Sequence, residues 1–453
     1  MRSARLGAAA IVAASLAGCS LAPPYSIPAS SADAAYKELG PQGQGSWQPA
    51  TTDTSLSAAW WTAFDDPTLT ALEARIEAGN PDLAAAVARY DQARGLLGES
   101  GAALLPSISV GADGGRSRVS AGRPLSPGNA ATYNNLSVGA DAASAQASAQ
   151  DVVAVRLGLQ ASLADSYFQM RGLDARTVLL RQTVAAFQRA YDLTDTRHTG
   201  GIASGIDVSR SAALLSSARA ELSAVAGARA AFEHAIAALV GETPSTFAIP
   251  VADTLQRPPA IPVGVPSTLL QRRPDIVAAE RRIAAANAQI GVARAAQYPS
   301  LTLGGSGGFE AGNGNILRAS NSFWALGPLS AALAIFDGGA RRARVRISRA
   351  QYDEAAASYR STVLTAFREV EDDLARSRAL VAQERDQLAA TRAAERTRDL
   401  ALIRYRDGAS DYLDVVTAQT AALDAQRLLL EVQSTRLQIA VDTVRAIGGS
   451  VTT

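Results

Sequence analysis

The sequence holds a single cysteine, two histidines and only 5% aromatic residues among its 453 positions. Cys19 has no second cysteine to pair with, so an internal disulfide is excluded. His198 and His234 lie far apart, without Cys or acidic neighbours at ligand spacing, and no metal site is expected. Net charge is +1 with no block of like charge, which argues against a nucleic-acid surface or a charged tail. Beyond the N-terminus no apolar run is as long as a membrane helix needs, so no helix is expected to cross a bilayer. No nucleophile stands near a base in a usable pattern. Gly304-Gly305-Ser306-Gly307-Gly308 lacks the Lys-Ser/Thr ending and the following helix of a phosphate loop. Neither an enzyme nor a cofactor is expected.

Helix breakers are also missing, over unusual distances. Arg341 to Asp407 contains no Gly and no Pro, roughly 100 Å of helix if unbroken. Ala409 to Ile447 is again free of both, about 60 Å by the same rise. Segments this long suit coiled-coil hairpins, and Leu413, Val416, Leu423, Leu430, Leu437 and Val444 supply a seven-residue apolar spacing.

What is present is one plan written twice. Asn80-Pro81-Asp82-Leu83 returns as Arg273-Pro274-Asp275-Ile276, and Leu105-Pro106-Ser107-Ile108 returns as Tyr298-Pro299-Ser300-Leu301. Both returns share one lag, 193, from position 81 to 274 and from 106 to 299. Gly201 with Ile206-Asp207-Val208 matches Gly408 with Leu413-Asp414-Val415 at a lag of 207, from position 201 to 408. Repeats of this size are too long for solenoid units and read as duplicated half-domains. The lag grows from 193 to 207 between Gly115 and Leu163, so the first copy is shorter there by the difference, 14. Either the loop before a strand is short or about four helical turns are missing; loss of the strand-to-helix junction is favoured.

The N-terminus reads as a targeting segment. A basic start, Met1 to Arg5, precedes an apolar stretch from Leu6 to Ala17 that ends in Leu16-Ala17-Gly18-Cys19, a bacterial lipobox. Cys19 is thus the expected lipidation site, and Ser20 after it points to the outer membrane. The expected organisation is a signal peptide over 1–18, a lipid-anchored extended arm over 19–58, a first repeat over 59–241, a Pro-rich linker over 242–266 and a second repeat over 267–449. Helices are expected to begin near Pro67 and again at Pro81, where proline suits a first helical position.

Four segments alternate with period two: Ser107–Val110, Leu136–Asp141, Leu301–Gly304 and Leu329–Ile335. Each pair is separated by a Gly-, Ser- and Asn-rich loop such as Gly304 to Asn315. One face of these segments is small and polar, as a wet barrel lumen requires. Four strands cannot close a barrel, and an open edge in lipid leaves unpaired backbone groups. The chain is therefore expected to share a barrel with copies of itself, eight strands from two copies or twelve from three.

The run from Ile261-Pro262-Val263-Gly264-Val265-Pro266 through Gln271-Arg272-Arg273-Pro274-Asp275-Ile276 resembles the mid-chain signature of the TolC-like outer-membrane efflux factors, in their OprM-like lipoprotein branch. Other matching pieces are Cys19 with Pro23-Pro24-Tyr25, Trp60-Trp61, Phe336-Asp337-Gly338-Gly339 and Tyr405 to Val415. The resemblance implies a mainly α protein with a membrane β-barrel: a homotrimer with twelve strands over a periplasmic tunnel of helical hairpins. It implies a passive exit channel in the outer membrane. Its partners would be outer-membrane lipid, a periplasmic membrane-fusion adaptor and an inner-membrane resistance-nodulation-division pump. By motif, Tyr405 and Asp414 fall at gate positions, although Thr417 stands where a second acid is common. The turns with Gly201, Ser204, Asp207, Gly408 and Asp411 fall where the adaptor docks.

These residues also have simpler readings. Ser204 to Asp207 is a capping-box pattern and Asp411 to Asp414 a variant of it, stabilised by the helix dipole with no gating role. Capping is favoured for Asp207; for Asp414 the two roles are compatible. Arg404 and Arg406 read equally as partners of such carboxylates or as exposed side chains. A competing function is a structural lipoprotein whose hairpins brace the envelope without conducting.

Overall fold

Seven helices carry most of the computed structural model, which describes residues 21–27, 36–39, 59–103, 105, 130–131, 136–252, 255–261, 270–309 and 322–449. In chain order they are α1 (Pro67–Gly79), α2 (Pro81–Ala102), α3 (Leu136–Thr199), α4 (Gly205–Leu239), α5 (Pro274–Ala295), α6 (Ala340–Arg406) and α7 (Tyr412–Ala446). Local chemistry sets their starts. Asp66 accepts from the backbone N–H of Thr68 and Leu69 ahead of α1, with Pro67 in the first turn. Asn80 does the same for Asp82 and Leu83 of α2.

The duplication is visible in the element bounds. Helices α2 and α5 start and end at the lag of 193, and α4 and α7 start and end at that of 207. Matching contacts close the two copies: Asn80 Nδ2 donates to Leu239 O at 2.8 Å, and Arg273 Nη1 to Ala446 O at 3.2 Å. Helix α3 has 64 residues and α6 has 67, and they too end at the lag of 207. The shortfall of the first copy thus falls mostly ahead of α3, where positions 103–135 stand between α2 and α3 against the longer stretch 296–339 between α5 and α6.

The strand expected at Leu136–Asp141 is corrected by this. Helix α3 begins at Leu136, and its first turns, rich in Ala, Ser and Gly, satisfy period two and period 3.6 alike. Three strands are described: β1 (Ala130–Ala131), β2 (Ser300–Phe309) and β3 (Ser322–Ala332), antiparallel in the order β1-β2-β3. The stretch Gly304–Phe309, expected as loop, continues β2, while Leu333 and Ile335 lie past the end of β3. Ser107–Val110 lies outside the described residues. So do Cys19 and residues 262–269, which include the end of the expected linker.

The chain divides into two compact units, and all three strands fall in the one that includes Val87–Asp151 and Asp275–Thr362. Within that unit, Leu21–Ile27 runs without helix or strand against α5. Asn287 Nδ2 donates to Pro23 O at 2.9 Å, Arg294 Nη1 to Leu21 O at 3.3 Å, and Tyr25 Oη to the Glu280 carboxylate. Gly291 permits the approach: a Cβ there would lie 2.8 Å from Ala22 N.

In the other unit, Tyr36 is buried with Val370, Leu374, Ala446 and Ile447. The described parts of the arm thus pack on other segments, Leu21–Ile27 on α5 and Tyr36 in a core of α6 and α7 residues. The hairpins pack through Phe187, Leu215 and Ala218, with Leu423 alongside. Leu437 and Val444 are fully buried as the seven-residue spacing predicts, but Leu413 is 46% exposed. Near its start the buried stripe of α7 passes instead through Tyr412, Val415, Ala418 and Ala422. No helix among the described residues is long and apolar enough to cross a membrane.

Candidate gate at the hairpin turns

The two hairpin turns are built alike. Gly201 (φ 76°) and Gly408 (φ 73°) end α3 and α6 in the left-handed region, where glycine has no steric penalty. Gly201 N donates to His198 O and Ile202 N to Arg197 O; in the second copy Gly408 N donates to Tyr405 O and Ala409 N to Arg404 O. These paired bonds satisfy carbonyls that a helix end otherwise leaves bare. Both following helices are capped. Ser204 Oγ accepts from Asp207 N, and the Asp207 carboxylate accepts from Ser204 N, both at 3.3 Å. Asp411 Oδ1 accepts from Asp414 N at 3.2 Å.

Tyr405 is where the two copies differ and meet. Its counterpart in the first turn is His198, which is exposed and bonded through Nδ1 to Ala203 O at 2.8 Å. Tyr405 is buried with Tyr412 and Val415, packed against Leu193, Leu402 and Val416. Its ring centroid lies 5.3 Å from that of Tyr412, edge to face. The guanidinium of Arg197 sits 4.6 Å from the Tyr405 ring centroid, and its Nη1 donates to Tyr405 O at 3.0 Å. One side chain from α3 therefore grips both ring and last-turn carbonyl of α6. Burial raises the Tyr412 phenol above its usual range, against hydrogen bonds to Thr194 and Ser211 that lower it.

Asp414 is exposed. Arg404 donates to Ala409 O at 3.4 Å, and neither Arg404 nor Arg406 has an ion pair among the described residues. Thr417 Oγ1 donates to Leu413 O at 2.9 Å, spending its hydroxyl within α7. No group of His, Cys, Asp or Glu suited to a metal occurs among the described residues.

The sequence profile of the outer membrane efflux protein family matches residues 73–143, 134–242 and 265–449. Outer membrane protein OprJ of Pseudomonas aeruginosa is 32% identical, covering 99% of this chain and 97% of its own. The probable efflux pump outer membrane protein TtgC of Pseudomonas putida is 30% identical over 97% of this chain and 94% of its own. Among solved structures, the outer-membrane channel OprN superposes with a TM-score of 0.84 at 29% identity, covering 95% of this chain and 99% of that one. The chain belongs to the outer membrane efflux protein family.

Membership places this efflux protein in the bacterial outer membrane. Residues 134–143 fall within two of the three family segments, in the same stretch where the first copy is the shorter. Of the residues singled out from sequence, Tyr405 joins a buried contact. Asp207, Ser204 and Asp411 act as caps, and Gly201 and Gly408 as turns. Arg197 is the residue that sequence reasoning missed. The lag of 207 marks it as the counterpart of Arg404 in a last helical turn. Nothing local says which ring it reaches.

A second titratable feature of this efflux protein lies between α6 and α7. Burial, and then the Asp442 charge, push the Asp373 carboxyl up to about 7, while Arg376 and Arg445 pull the other way and Glu369 adds to the rise. The folded chain keeps this proton to near neutrality, whereas the unfolded carboxyl releases it near 3.8. The native state binds more protons over that window, so stability falls as pH rises from about 4 to 7. Asp373→Asn is expected to raise the melting temperature at pH 8 and to leave it nearly unchanged at pH 4, by circular dichroism melts at both values. Equal gains at the two pH values would refute this origin.

Proposed function

We propose that the protein is the passive exit duct of a tripartite efflux system, a homotrimer that performs no chemistry on its cargo. The observation that carries this reading is the near-complete coverage of the chain by outer membrane efflux relatives and by a solved channel of the same fold. In lipid every backbone N–H and C=O needs a partner, so strands from one chain must close against those of others. Three protomers that each supply β1, β2, β3 and the strand expected at Ser107–Val110 give a closed twelve-stranded barrel, the cyclic arrangement consistent with the family resemblance.

The organisation that follows is a signal peptide over 1–18, an arm over 19–58 acylated at Cys19, repeats over 59–241 and 267–449, and a linker over 242–266. Threefold symmetry brings three copies of Tyr405 and Asp414 around one axis, where they narrow the periplasmic mouth. The turns bearing Gly201, Ser204, Asp207, Gly408 and Asp411 meet a periplasmic membrane-fusion adaptor. An inner-membrane resistance-nodulation-division pump delivers and selects the cargo.

Purified protein in planar bilayers tests the reading, together with the mass of the solubilised oligomer. Discrete conductance from a trimer is expected, larger for Asp414→Ala. A trimer that inserts yet stays electrically silent, with Asp414→Ala silent too, would leave the protein as an envelope brace and not a duct.

A further inference from the structure

Helix α6 opens on an uncommon sequence. Arg341, Arg342, Arg344, Arg346 and Arg349 occupy five of its first ten positions, and no acid appears until Asp353. Arg342, Arg346 and Arg349 share one helix face, four and three positions apart, and line an open cavity of about 890 Å³. Arg294 of α5 adds a fourth guanidinium, and Gln297, Tyr298 and Asp337 also lie on the polar rim. Asp337 does not neutralise them. It accepts from Arg341 Nε at 2.8 Å, Arg341 N at 3.0 Å and Gly339 N at 2.9 Å, and these bonds, that of the Arg341 side chain first, hold its carboxyl down to about 2. Arg342, Arg346 and Arg349 have no ion pair among the described residues.

The duplicated plan does not require these charges. At the lag of 207, positions 341–349 match 134–142, which read Asn134-Asn135-Leu136-Ser137-Val138-Gly139-Ala140-Asp141-Ala142, without a single cation. An arginine cluster present in one copy alone needs a reason beyond folding. Its surroundings supply one. Leu21, two positions past Cys19, also lines the cavity, and that much chain reaches at most about 7 Å. Tyr298 on its rim is 59% exposed, and Ile335 and Phe336, just before the lining residue Asp337 in sequence, are 95% and 91% exposed, the amphipathic and apolar kind of surface that sits at headgroup level.

We infer that this arginine-lined cavity binds the phosphate of an anionic phospholipid headgroup, one per protomer, in the leaflet that holds the Cys19 anchor. Guanidinium groups suit phosphate because their planar forks donate two parallel bonds. The inference rests on the outer-membrane duct reading for depth, not for conduction, so a silent channel that still holds lipid leaves it standing.

The test uses the full-length trimer in detergent, with phosphatidylglycerol, phosphatidylcholine or inorganic phosphate added and retained lipid counted by native mass spectrometry. Wild type is expected to keep about three phosphatidylglycerols per trimer, to release phosphatidylcholine, and to keep its lipid in millimolar phosphate. The triple variant Arg342→Gln, Arg346→Gln, Arg349→Gln is expected to lose retention by at least about tenfold, since each cation near an anionic surface counts. Arg344→Gln, outside the cavity, is the control and should match wild type. Cys19→Ser should retain lipid; loss there would mean that the acyl chain and not the cavity held it. If the triple variant does not assemble, Arg346→Gln alone should show a partial loss and Arg346→Lys none. Unchanged retention in the variants overturns the site. Displacement by inorganic phosphate reduces it to a free-anion site. Dissociation to monomers with lipid still bound per chain would give the arginines to a neighbouring copy instead.

Discussion

Asp174→Ala is expected to destabilise the helical unit by about 3 to 5 kcal/mol, the cost of leaving buried charge uncompensated. Asp174 is fully buried in α3 and takes two arginines at once: Arg171 Nη1 at 2.9 Å and Arg229 Nε at 2.6 Å. Each arginine reaches further, Arg171 to Pro250 O and Arg229 to Ile249 O, both at 2.7 Å. Asp174 also accepts from Ala252 N at 3.2 Å, and Glu233 accepts from Ile249 N at 2.6 Å. The start of the linker is thus laid across α3 and α4 by backbone groups that charged side chains satisfy. Upstream, Arg171 stacks 4.7 Å from the Tyr167 ring, and Tyr167 Oη donates at 2.7 Å to Asp66, the cap of α1. Removing this carboxylate leaves Arg171 with no ion pair among the described residues and Arg229 with Glu233 alone, at 3.2 Å, and the Pro250 segment loses its bond at Ala252 N. A thermal melt followed by helix signal, and limited proteolysis near Val251, measure the two effects. A loss under about 1 kcal/mol would mean water reaches these arginines, making the pair an ordinary surface one.

The helices were legible because their causes are local. Pro67 and Pro81 open helices where sequence places them, Pro274 opens α5 at the lag of 193, and the breaker-free stretch from Arg341 becomes α6 within one position at each end. The lags of 193 and 207 recur in the bounds of paired helices because capping and turn residues travel with each copy. The error at Leu136 has an equally physical reason. Helix α3 holds Gly139, Gly158 and Gly172, each costing about 1 kcal/mol against Ala in a helix, so its N-terminal part resembles a strand and a turn. Gly172 has a packing role further along: a Cβ there would come within 2.7 Å of Ser434 Oγ, which shows how closely α7 approaches α3 at that point. Arg197 and Tyr405 are far apart in sequence, with |i−j| of 208. Their pairing depends on how the two hairpins meet, which no local pattern encodes. The same holds for Arg229 and Asp174. The caps Ser204–Asp207 and Asp411–Asp414 were legible from motifs together with their partners, but the distant partners of Tyr405 and Asp174 came only from the packed hairpins.

Arg197→Ala is expected to open the duct. The side chain contributes a charge-assisted hydrogen bond and a cation–π contact, and losing both costs the closed arrangement about 2 kcal/mol per protomer. That is roughly a thirtyfold shift in the closed-to-open ratio for each chain. The phenol hydroxyl plays no part in the grip, because Tyr405 Oη is buried without a hydrogen-bond partner among the described residues. Tyr405→Phe should therefore conduct like wild type, since it keeps the ring and the backbone carbonyl. Tyr405→Ala keeps the carbonyl alone and should fall between. Arg197→Lys retains charge but loses the planar face that lies over the ring, and should also be intermediate. Asp414 offers the contrast: it is exposed, accepts no bond from Arg404 or Arg406 among the described residues, and its backbone N–H is already satisfied by Asp411. If closure is held by the packing at Tyr405, the conductance order in planar bilayers is Arg197→Ala above Tyr405→Ala, with Tyr405→Phe at the wild-type level. If Arg197→Ala matches wild type while Asp414→Ala opens, closure lies in contacts between protomers around the axis, and the Arg197 grip only fastens one hairpin to its neighbour within the chain.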